Sequence, residues 1–150
     1  MDAHECWVCL EAVDPDGSAT APTGCACRGS AGHAHLNCLV ASAQHTADRD
    51  AQHINWMSCP TCKQVYTGSV SLGLARARWG LHRSRREEDG ERLDALNQLA
   101  VALNNTGKFT EAIPLYEEQL ATKRRDFGDV NPSTLNCMVN LAGALYSTIL

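Results

Sequence analysis

The first half of the chain carries cysteine and histidine residues in closely spaced pairs. One Cys-x-x-Cys pair lies at Cys6 and Cys9, and another lies at Cys59 and Cys62. Between them, the segment 25–38 contains a Cys-x-Cys pair and a His-x-x-Cys pair. Thiolate and imidazole are ligands that zinc prefers, and a structural zinc site is closed by four of them. Seven cysteines and one histidine therefore suffice for two tetrahedral zinc sites.

Disulfide bonds are the competing use for the eight cysteines of the chain. The N-terminus, Met-Asp-Ala-His-Glu-Cys-Trp, has no basic segment followed by an apolar run, so no signal peptide is visible. The longest mostly apolar stretch, 138–150, is too short to span a bilayer. We therefore expect an intracellular, soluble, cytoplasmic protein without a transmembrane segment, in which reduced thiols bind metal.

The segment that carries these pairs has few large apolar residues with which to build a core. Residues 1–67 contain only eight Leu, Ile, Val or Phe residues, and so small a segment usually needs a metal or disulfide staple. Residues 14–24 are dense in turn formers and predict a loop. A short helix with one buried face is predicted by the helical spacing of Leu36, Leu39, Val40 and Ala43.

The order and spacing of the ligand pairs resemble the RING-CH (RINGv) variant of the RING finger, a family that includes the membrane-associated RING-CH ubiquitin ligases. The pattern is Cys-x2-Cys, x15, Cys-x-Cys, x7, His-x2-Cys, x20, Cys-x2-Cys, and it covers residues 6–62. The run from Cys27 to Leu39 is similar to the central signature of the family. One departure is Ser42, where members often carry a tryptophan, a space that Trp56 could fill.

The resemblance implies a small zinc-stapled α+β finger with a cross-brace, in which alternate ligand pairs share a metal. The implied ligands of one zinc are Cys6, Cys9, His35 and Cys38, and those of the other are Cys25, Cys27, Cys59 and Cys62.

His33 is the alternative histidine ligand. Its spacing from Cys27 is closer to that of a plant homeodomain finger, which would read histone tails, whereas His35 keeps the two-residue gap to Cys38. Plant homeodomain fingers have a shorter gap between the fourth and fifth ligands, and their tryptophan stands two residues before the seventh. Trp56 here precedes Cys59 by three residues, which favours the RING-CH interpretation and His35.

RING fingers hold a ubiquitin-conjugating enzyme charged with ubiquitin and form no covalent intermediate themselves. The resemblance therefore implies a RING-type ubiquitin-protein transferase. Val8 in the first knuckle, Pro60 in the last knuckle and Lys63 after the final ligand match the contact positions of the family. Without the resemblance, Val8 would be a core residue, Pro60 a turn residue and Lys63 a solvated charge. A non-catalytic zinc-binding scaffold is then the alternative function.

The second half of the chain contains an internal repeat. The pattern Leu-x2-Leu-x2-Leu-Ala-x2-Leu from Leu93 to Leu103 returns 42 positions later, from Leu135 to Leu145, with methionine in second place. It resembles a tetratricopeptide repeat of the kinesin-light-chain-like kind, although Gln119 stands where a small residue is usual. The positions that match the family are Leu99, Ala100, Leu103, Gly107, Ala112 and Tyr116. The resemblance implies an all-α array that binds a protein or peptide partner.

Helical spacing predicts helices at 69–86, 91–105, 110–126 and 133–149, so we divide the chain into a finger at 1–67 and a repeat region at 68–150. The first helix is expected to pack like the second helix of a degenerate preceding repeat. Gly107 permits a tight turn, Thr110 is a candidate helix cap, and Pro114 is expected in or near a first turn.

Two further features bear on partners. Five arginines between Arg76 and Arg86 are followed at once by acidic residues, which indicates a solvated helix face, and the net charge of −4 suggests no general affinity for nucleic acid. Leu141, Leu145 and Ile149 have no following helix to cover them. We expect the repeat region to be incomplete, so that either the natural chain continues or this end associates with another molecule.

Overall fold

The computed structural model describes residues 4–25, 27, 32–47 and 54–150. Residues 28–31 of the central signature therefore lie outside the described residues. The elements in chain order are β1 (Ala21–Pro22), β2 (His33–Ala34), α1 (Leu36–Ala47), a short 3-10 helix (Ile54–Trp56), α2 (Gly68–His82), α3 (Gly90–Asn105), α4 (Phe109–Phe127) and α5 (Pro132–Ile149). The chain divides into two units, Met1–Arg78 and Trp79–Leu150.

The cysteine-rich unit, Met1–Arg78, is built on a short antiparallel sheet that leads directly into α1. In β1 and β2, Ala21 pairs with Ala34 and Pro22 with His33. The spacing of apolar residues in α1 buries Leu39 and Ala43, as the sequence predicts. The core of this unit also contains residues from the 3-10 helix, from the last knuckle, from the segment between that knuckle and α2, and from α2 itself: Trp56, Cys59, Tyr66, Val70 and Leu74.

The N-terminal part of α2 belongs to this core and not to a preceding repeat. Val70 and Leu74 are buried in the apolar cluster of the cysteine-rich unit, and a Cβ added at Gly73 would lie 2.6 Å from Leu36 Cδ2. The absence of a side chain at Gly73 thus lets α2 approach Leu36 of α1. Because the segment before α2 has few large apolar residues, its core draws on this helix. The boundary between the two units falls between Arg78 and Trp79, whereas the sequence analysis predicts it between residues 67 and 68.

The repeat unit, Trp79–Leu150, contains the last turn of α2 and the helices α3, α4 and α5, with α3 packed on α4 and α4 on α5. The helices α3, α4 and α5 match their predicted bounds to within one residue at either end, whereas α2 ends at His82, four residues before its predicted end at 86. The Asp89 side chain accepts a hydrogen bond from the Arg92 N–H at the start of α3, and Asn131 accepts one from the Ser133 N–H at the start of α5. These bonds satisfy backbone donors that a helix leaves unpaired at its N-terminus.

The turn between α3 and α4 depends on Gly107, whose φ of 77° lies in the left-handed region that glycine adopts at little cost. The predicted cap at Thr110 is wrong, because α4 begins at Phe109 and its N-cap, Lys108, makes no side-chain cap bond. Pro114 lies inside α4, in its second turn and close to the first, near where the sequence places it. Its ring nitrogen therefore removes one hydrogen bond of the helix.

A search of the described helices for a segment with the length and apolar character of a membrane span finds no candidate.

Candidate functional site

The first Cys-x-x-Cys pair folds into a tight knuckle held by backbone hydrogen bonds. The Leu10 N–H donates to the Cys6 carbonyl at 2.8 Å, and the Cys6 N–H donates to the Glu11 carbonyl at 2.9 Å. Leu10 reaches this geometry with a φ of 66°, in the left-handed region. The turn brings the sulfurs of Cys6 and Cys9 to one side, where they can share an ion.

The last Cys-x-x-Cys pair repeats the same geometry. The Lys63 N–H donates to the Cys59 carbonyl at 2.9 Å, and the Cys59 N–H donates to the Gln64 carbonyl at 2.9 Å. Lys63 has a φ of 64°, close to that of Leu10 at the equivalent position. Two segments of different sequence thus form the same ligand-presenting turn.

The first cluster joins this first knuckle to the junction of β2 and α1. His35 stands between these two elements and is fully buried. Its Nδ1 lies 3.4 Å from Cys9 Sγ and 3.8 Å from Cys38 Sγ, and its backbone N–H donates to Cys6 Sγ at 3.4 Å. The four ligand atoms all lie within 4.8 Å of one another.

The second cluster joins the Cys-x-Cys pair to the last knuckle. The sulfurs of Cys25, Cys27, Cys59 and Cys62 lie within 4.8 Å of one another. Cys27 Sγ and Cys59 Sγ are 3.7 Å apart, and the buried Thr23 hydroxyl lies 3.1 Å from Cys25 Sγ. The structure thus groups the eight residues into the two sets that the resemblance implies.

These distances fit a tetrahedral metal ion and not a disulfide, in which the sulfurs would be about 2.05 Å apart. An ion about 2.3 Å from each sulfur sets two sulfurs about 3.8 Å apart. With a nitrogen ligand at about 2.05 Å, the sulfur–nitrogen distance becomes about 3.6 Å. The Cys27–Cys59 separation of 3.7 Å and the two His35 distances of 3.4 and 3.8 Å agree with these values.

Burial and hydrogen bonds shift the pKa values of the cluster thiols in both directions. The hydrogen bond with Cys25 and, as the next largest cause, burial raise the pKa of the Cys27 thiol to about 12. Burial and a hydrogen bond with Cys9 raise the pKa of Cys38 to about 12 as well. Burial also raises the pKa of Cys6, but backbone hydrogen bonds outweigh it and lower the pKa to about 7. Neighbouring thiolates repel one another, and a divalent cation offsets this repulsion, so both clusters could hold a metal ion.

His33 lies outside both clusters. It belongs to β2, and its ring stacks on that of His4 with centroids 3.9 Å apart and planes inclined by 13°. The end of the strand explains the difference from His35. Residues two apart lie on the same face of a strand, but β2 ends at Ala34, so His35 no longer follows the alternation and can face the first cluster.

The proposed contact residues stand at the surface of the knuckles. Val8 is 38% exposed, so it is not a core residue, and Leu10, which the sequence did not single out, is 70% exposed. Lys63 is exposed, but its Nζ donates a 2.6 Å hydrogen bond to the carbonyl of the half-buried Pro60. Trp56 is buried in the core beside α1, the helix that carries Ser42.

In the repeat unit, α3, α4 and α5 together line a groove of about 360 Å³. Most of its lining residues have polar or charged side chains of both signs, among them Asp94, Asn97, Lys123 and Asn136, although Leu93 and Phe127 also line it. Such a groove offers hydrogen bonds and ion pairs to an extended polar segment.

Arg92 organises the start of this unit, a role that the sequence did not reveal. Its guanidinium contacts Glu118 Oε1 at 2.7 Å, lies 5.0 Å from the Trp79 ring centroid and donates to the Arg83 carbonyl at 3.2 Å. Of the five arginines before it, Arg76, Arg83, Arg85 and Arg86 are exposed, as the sequence predicts. Arg78 is buried, contrary to that prediction.

Comparison with known protein families matches residues 91–148 to the tetratricopeptide repeat family. No RING-CH family model matches the cysteine-rich unit. Searches of curated proteins and of solved structures returned no match. The family match spans α3, α4 and α5 and implies that this unit binds a protein partner.

Proposed function

We propose that this chain is a RING-CH-type ubiquitin-protein ligase whose cysteine-rich unit recruits a charged ubiquitin-conjugating enzyme while its repeat unit binds the protein partner. The observation that carries the proposal is the interleaving of the ligand pairs. The first pair shares a site with the third, and the second shares a site with the fourth. Neither site closes until most of the segment 6–62 has folded, so metal binding and folding of the finger are coupled.

Zinc is the metal that this donor set favours. Thiolates and imidazole are soft or intermediate ligands, which select zinc over calcium or magnesium. Each cluster supplies four protein ligands, so no coordination position is left for water, as is typical of structural zinc. The residues would therefore hold two zinc ions that stabilise the finger and take no part in chemistry.

The reaction itself would take place on the conjugating enzyme. The thioester between its cysteine and the ubiquitin carboxyl terminus breaks, an amide forms with a lysine amine, and the thiol is released. The finger would accelerate this step by holding both partners in the reactive geometry, which acts on the transition state. No covalent intermediate on this chain is needed.

Val8 and Lys63 have distinct parts in this proposal. Val8 presents an apolar side chain at the surface between two metal ligands, where it can be covered by the conjugating enzyme. Lys63 would touch both the enzyme and ubiquitin after its ammonium leaves the Pro60 carbonyl. The bond is exposed, and water already competes for both of its groups, so a partner can replace it.

A non-catalytic zinc-stapled scaffold is the second candidate function. It is favoured by Ser42, which replaces a tryptophan that RING-CH members often carry, and by the engagement of Lys63 with its own knuckle. In that case the finger would contribute only structure, and the repeats would carry the whole binding function.

An autoubiquitination assay of the zinc-loaded full chain across a panel of conjugating enzymes tests the proposal. We expect ubiquitin chains with some members of the panel and none with the Cys59→Ser variant, which lacks a ligand of the second cluster. Inactivity of the zinc-loaded wild type with every enzyme would favour the scaffold.

A further inference from the structure

A buried threonine lies against the second cluster without being one of its ligands. Thr23 follows β1 and is fully buried, and its hydroxyl oxygen lies 3.1 Å from Cys25 Sγ and 3.2 Å from the Gly32 carbonyl oxygen. A buried hydroxyl is shielded from competing water, so a hydrogen bond that it makes is stronger than the same bond at the surface. Thr23 is therefore placed to act on the charge of the Cys25 sulfur.

Backbone hydrogen bonds on both sides hold Thr23 in this place. Its N–H donates to the Gly32 carbonyl at 2.9 Å, and its carbonyl accepts from the Thr67 N–H at 3.3 Å. Gly24 then turns the chain toward Cys25 with a φ of 76°, in the left-handed region, and a side chain at this glycine would overlap Thr67 Oγ1. The hydroxyl is thus held beside the sulfur by its backbone and not by its own bond alone.

The single hydroxyl proton of Thr23 has two acceptors within reach, and metal binding favours the sulfur. A cysteine that binds zinc is a thiolate, so Cys25 in the loaded cluster accepts a hydrogen bond but cannot donate one. Bonds to an ionised acceptor are roughly twice as strong as bonds between neutral groups. The Gly32 carbonyl already accepts the Thr23 N–H, so it keeps a partner when the hydroxyl turns to Cys25.

The second cluster has the greater need of such a donor. All four of its ligands are thiolates when it is loaded, and together they carry twice the charge of one Zn²⁺ ion. In the first cluster the neutral imidazole of His35 replaces one thiolate, and the backbone N–H of the same residue donates to Cys6 Sγ. Partners that donate to metal ligands in this way typically change metal affinity by about 10–100-fold.

We propose that Thr23 is a positioning residue of the second cluster, whose hydroxyl donates to the Cys25 thiolate and thereby strengthens zinc binding there. The inference rests on zinc as the metal of the proposed function and does not depend on ubiquitin transfer. This role needs the hydroxyl, whereas a packing role would need only the branched shape of the side chain.

Zinc competition separates these two roles. The zinc-loaded full chain is titrated with a chelator, and native mass spectrometry counts the ions that remain bound. Thr23→Val keeps the branched shape and removes the hydroxyl, so it should lower the affinity for one of the two zinc ions by about 10–100-fold. Thr23→Ser keeps the hydroxyl and should retain both ions as wild type does.

Thr134→Val is the matched control. Thr134 is also fully buried, but it lies in α5, where its hydroxyl is 3.5 Å from the Lys123 carbonyl. The substitution removes an equally buried hydroxyl that faces no metal ligand. Its affinities for both zinc ions should equal those of wild type.

Co²⁺ in place of zinc gives a spectroscopic signature of the bond. Absorption that transfers charge from sulfur to Co²⁺ moves to longer wavelength when a thiolate loses a hydrogen bond, because its lone-pair electrons are held less strongly. We expect this shift in Thr23→Val and not in Thr23→Ser or Thr134→Val. The ligand-field bands of the cluster that contains His35 differ from those of an all-cysteine cluster and should stay unchanged.

Equal zinc affinities of Thr23→Val and Thr23→Ser, in a chain whose wild type binds two zinc ions, would overturn this proposal and leave the proposed function standing. A lower affinity of Thr23→Val without the shift in Co²⁺ absorption would also overturn it, because the side chain would then act through packing. Wild type that binds no zinc at the second cluster would overturn both. Should Thr23→Val fail to fold, Thr23→Ala and Thr23→Ser make the same comparison, since these two variants differ only in the hydroxyl.

Discussion

The side-chain amide of Gln119 donates a 2.9 Å hydrogen bond to Asn97 Oδ1 and thereby ties α4 to α3. Gln119 is almost fully buried, and its Oε1 lies 3.4 Å from the Cys137 thiol of α5. One polar side chain thus connects three helices at a position where repeats of this kind usually carry a small residue. Because both ends of the amide have partners, its burial is not costly.

A double-mutant cycle measures this connection. Gln119→Ala and Asn97→Ala should each destabilise the repeat unit, and their coupling free energy should be about 1 kcal/mol, as for a typical hydrogen bond. The measurement is urea unfolding of the full chain, followed by its helical circular dichroism. Strict additivity of the two single substitutions would show that the bond contributes nothing in solution.

The metal ligands are tested by a pair of histidine substitutions. His35→Ala should remove the zinc of the first cluster, since Nδ1 of His35 faces Cys9 and Cys38. His33→Ala should keep two zinc ions, because the ring of His33 stacks on His4. Native mass spectrometry counts the bound ions directly. Loss of zinc from His33→Ala together with retention by His35→Ala would reverse the assignment.

Two glycine substitutions should act in opposite directions. Gly107→Ala forces a side chain into the left-handed region, at a cost of about 1–2 kcal/mol. Gly80→Ala should instead stabilise the chain by about 0.5–1 kcal/mol, because Gly80 lies inside α2 and a Cβ there meets no neighbour within 4 Å. Thermal unfolding of both variants checks the signs. A neutral Gly107→Ala would mean that the α3–α4 turn is free to change its conformation.

The cap of α3 predicts a pH dependence. The hydrogen bond from the Arg92 N–H, with a smaller contribution from the charge of Arg85, holds the pKa of Asp89 below its ordinary value. The carboxylate therefore stabilises the folded state above about pH 4, and this contribution is lost as pH falls through the lowered folded-state pKa.

Asp89→Asn isolates that effect, since asparagine caps a helix about as well but does not ionise. Wild type should unfold at a higher temperature than Asp89→Asn at neutral pH, and the difference should vanish in strong acid. Loss of zinc at low pH affects both proteins alike and cancels in the comparison. A difference that is independent of pH would contradict the electrostatic origin of the cap's contribution.

The bounds of α3, α4 and α5 could be anticipated because they depend on local spacing, whereas the grouping of the ligand pairs into two clusters was implied only by the family resemblance. The periodicity of Leu93 to Leu103 requires no tertiary information, and Cys-x-x-Cys pairs bring their own sulfurs together. The unit in which the N-terminal part of α2 packs could not be predicted from local spacing. Its apolar residues suit a repeat as well as a finger, and the packing of Val70 and Leu74 in the finger depends on distant residues such as Trp56.

Long-range polar contacts could not be predicted from the sequence either. Nothing in the spacing of Trp79 and Arg92 indicates that they interact, and only the fold places the guanidinium 5.0 Å from the ring centroid. The cap predicted at Thr110 is absent for a related reason. Ser and Thr favour caps, but the turn at Gly107 sets where α4 begins, and Phe109 is already its first residue.

Single-turnover discharge of ubiquitin from a charged conjugating enzyme to free lysine tests the proposed function most directly. The zinc-loaded wild type should accelerate discharge with at least one enzyme of a panel. Val8→Ala should weaken docking by about 1 kcal/mol, roughly a fivefold change in affinity. Lys63→Ala should leave docking intact and slow discharge. Wild-type protein that carries two zinc ions but accelerates discharge from no enzyme in the panel would contradict the account.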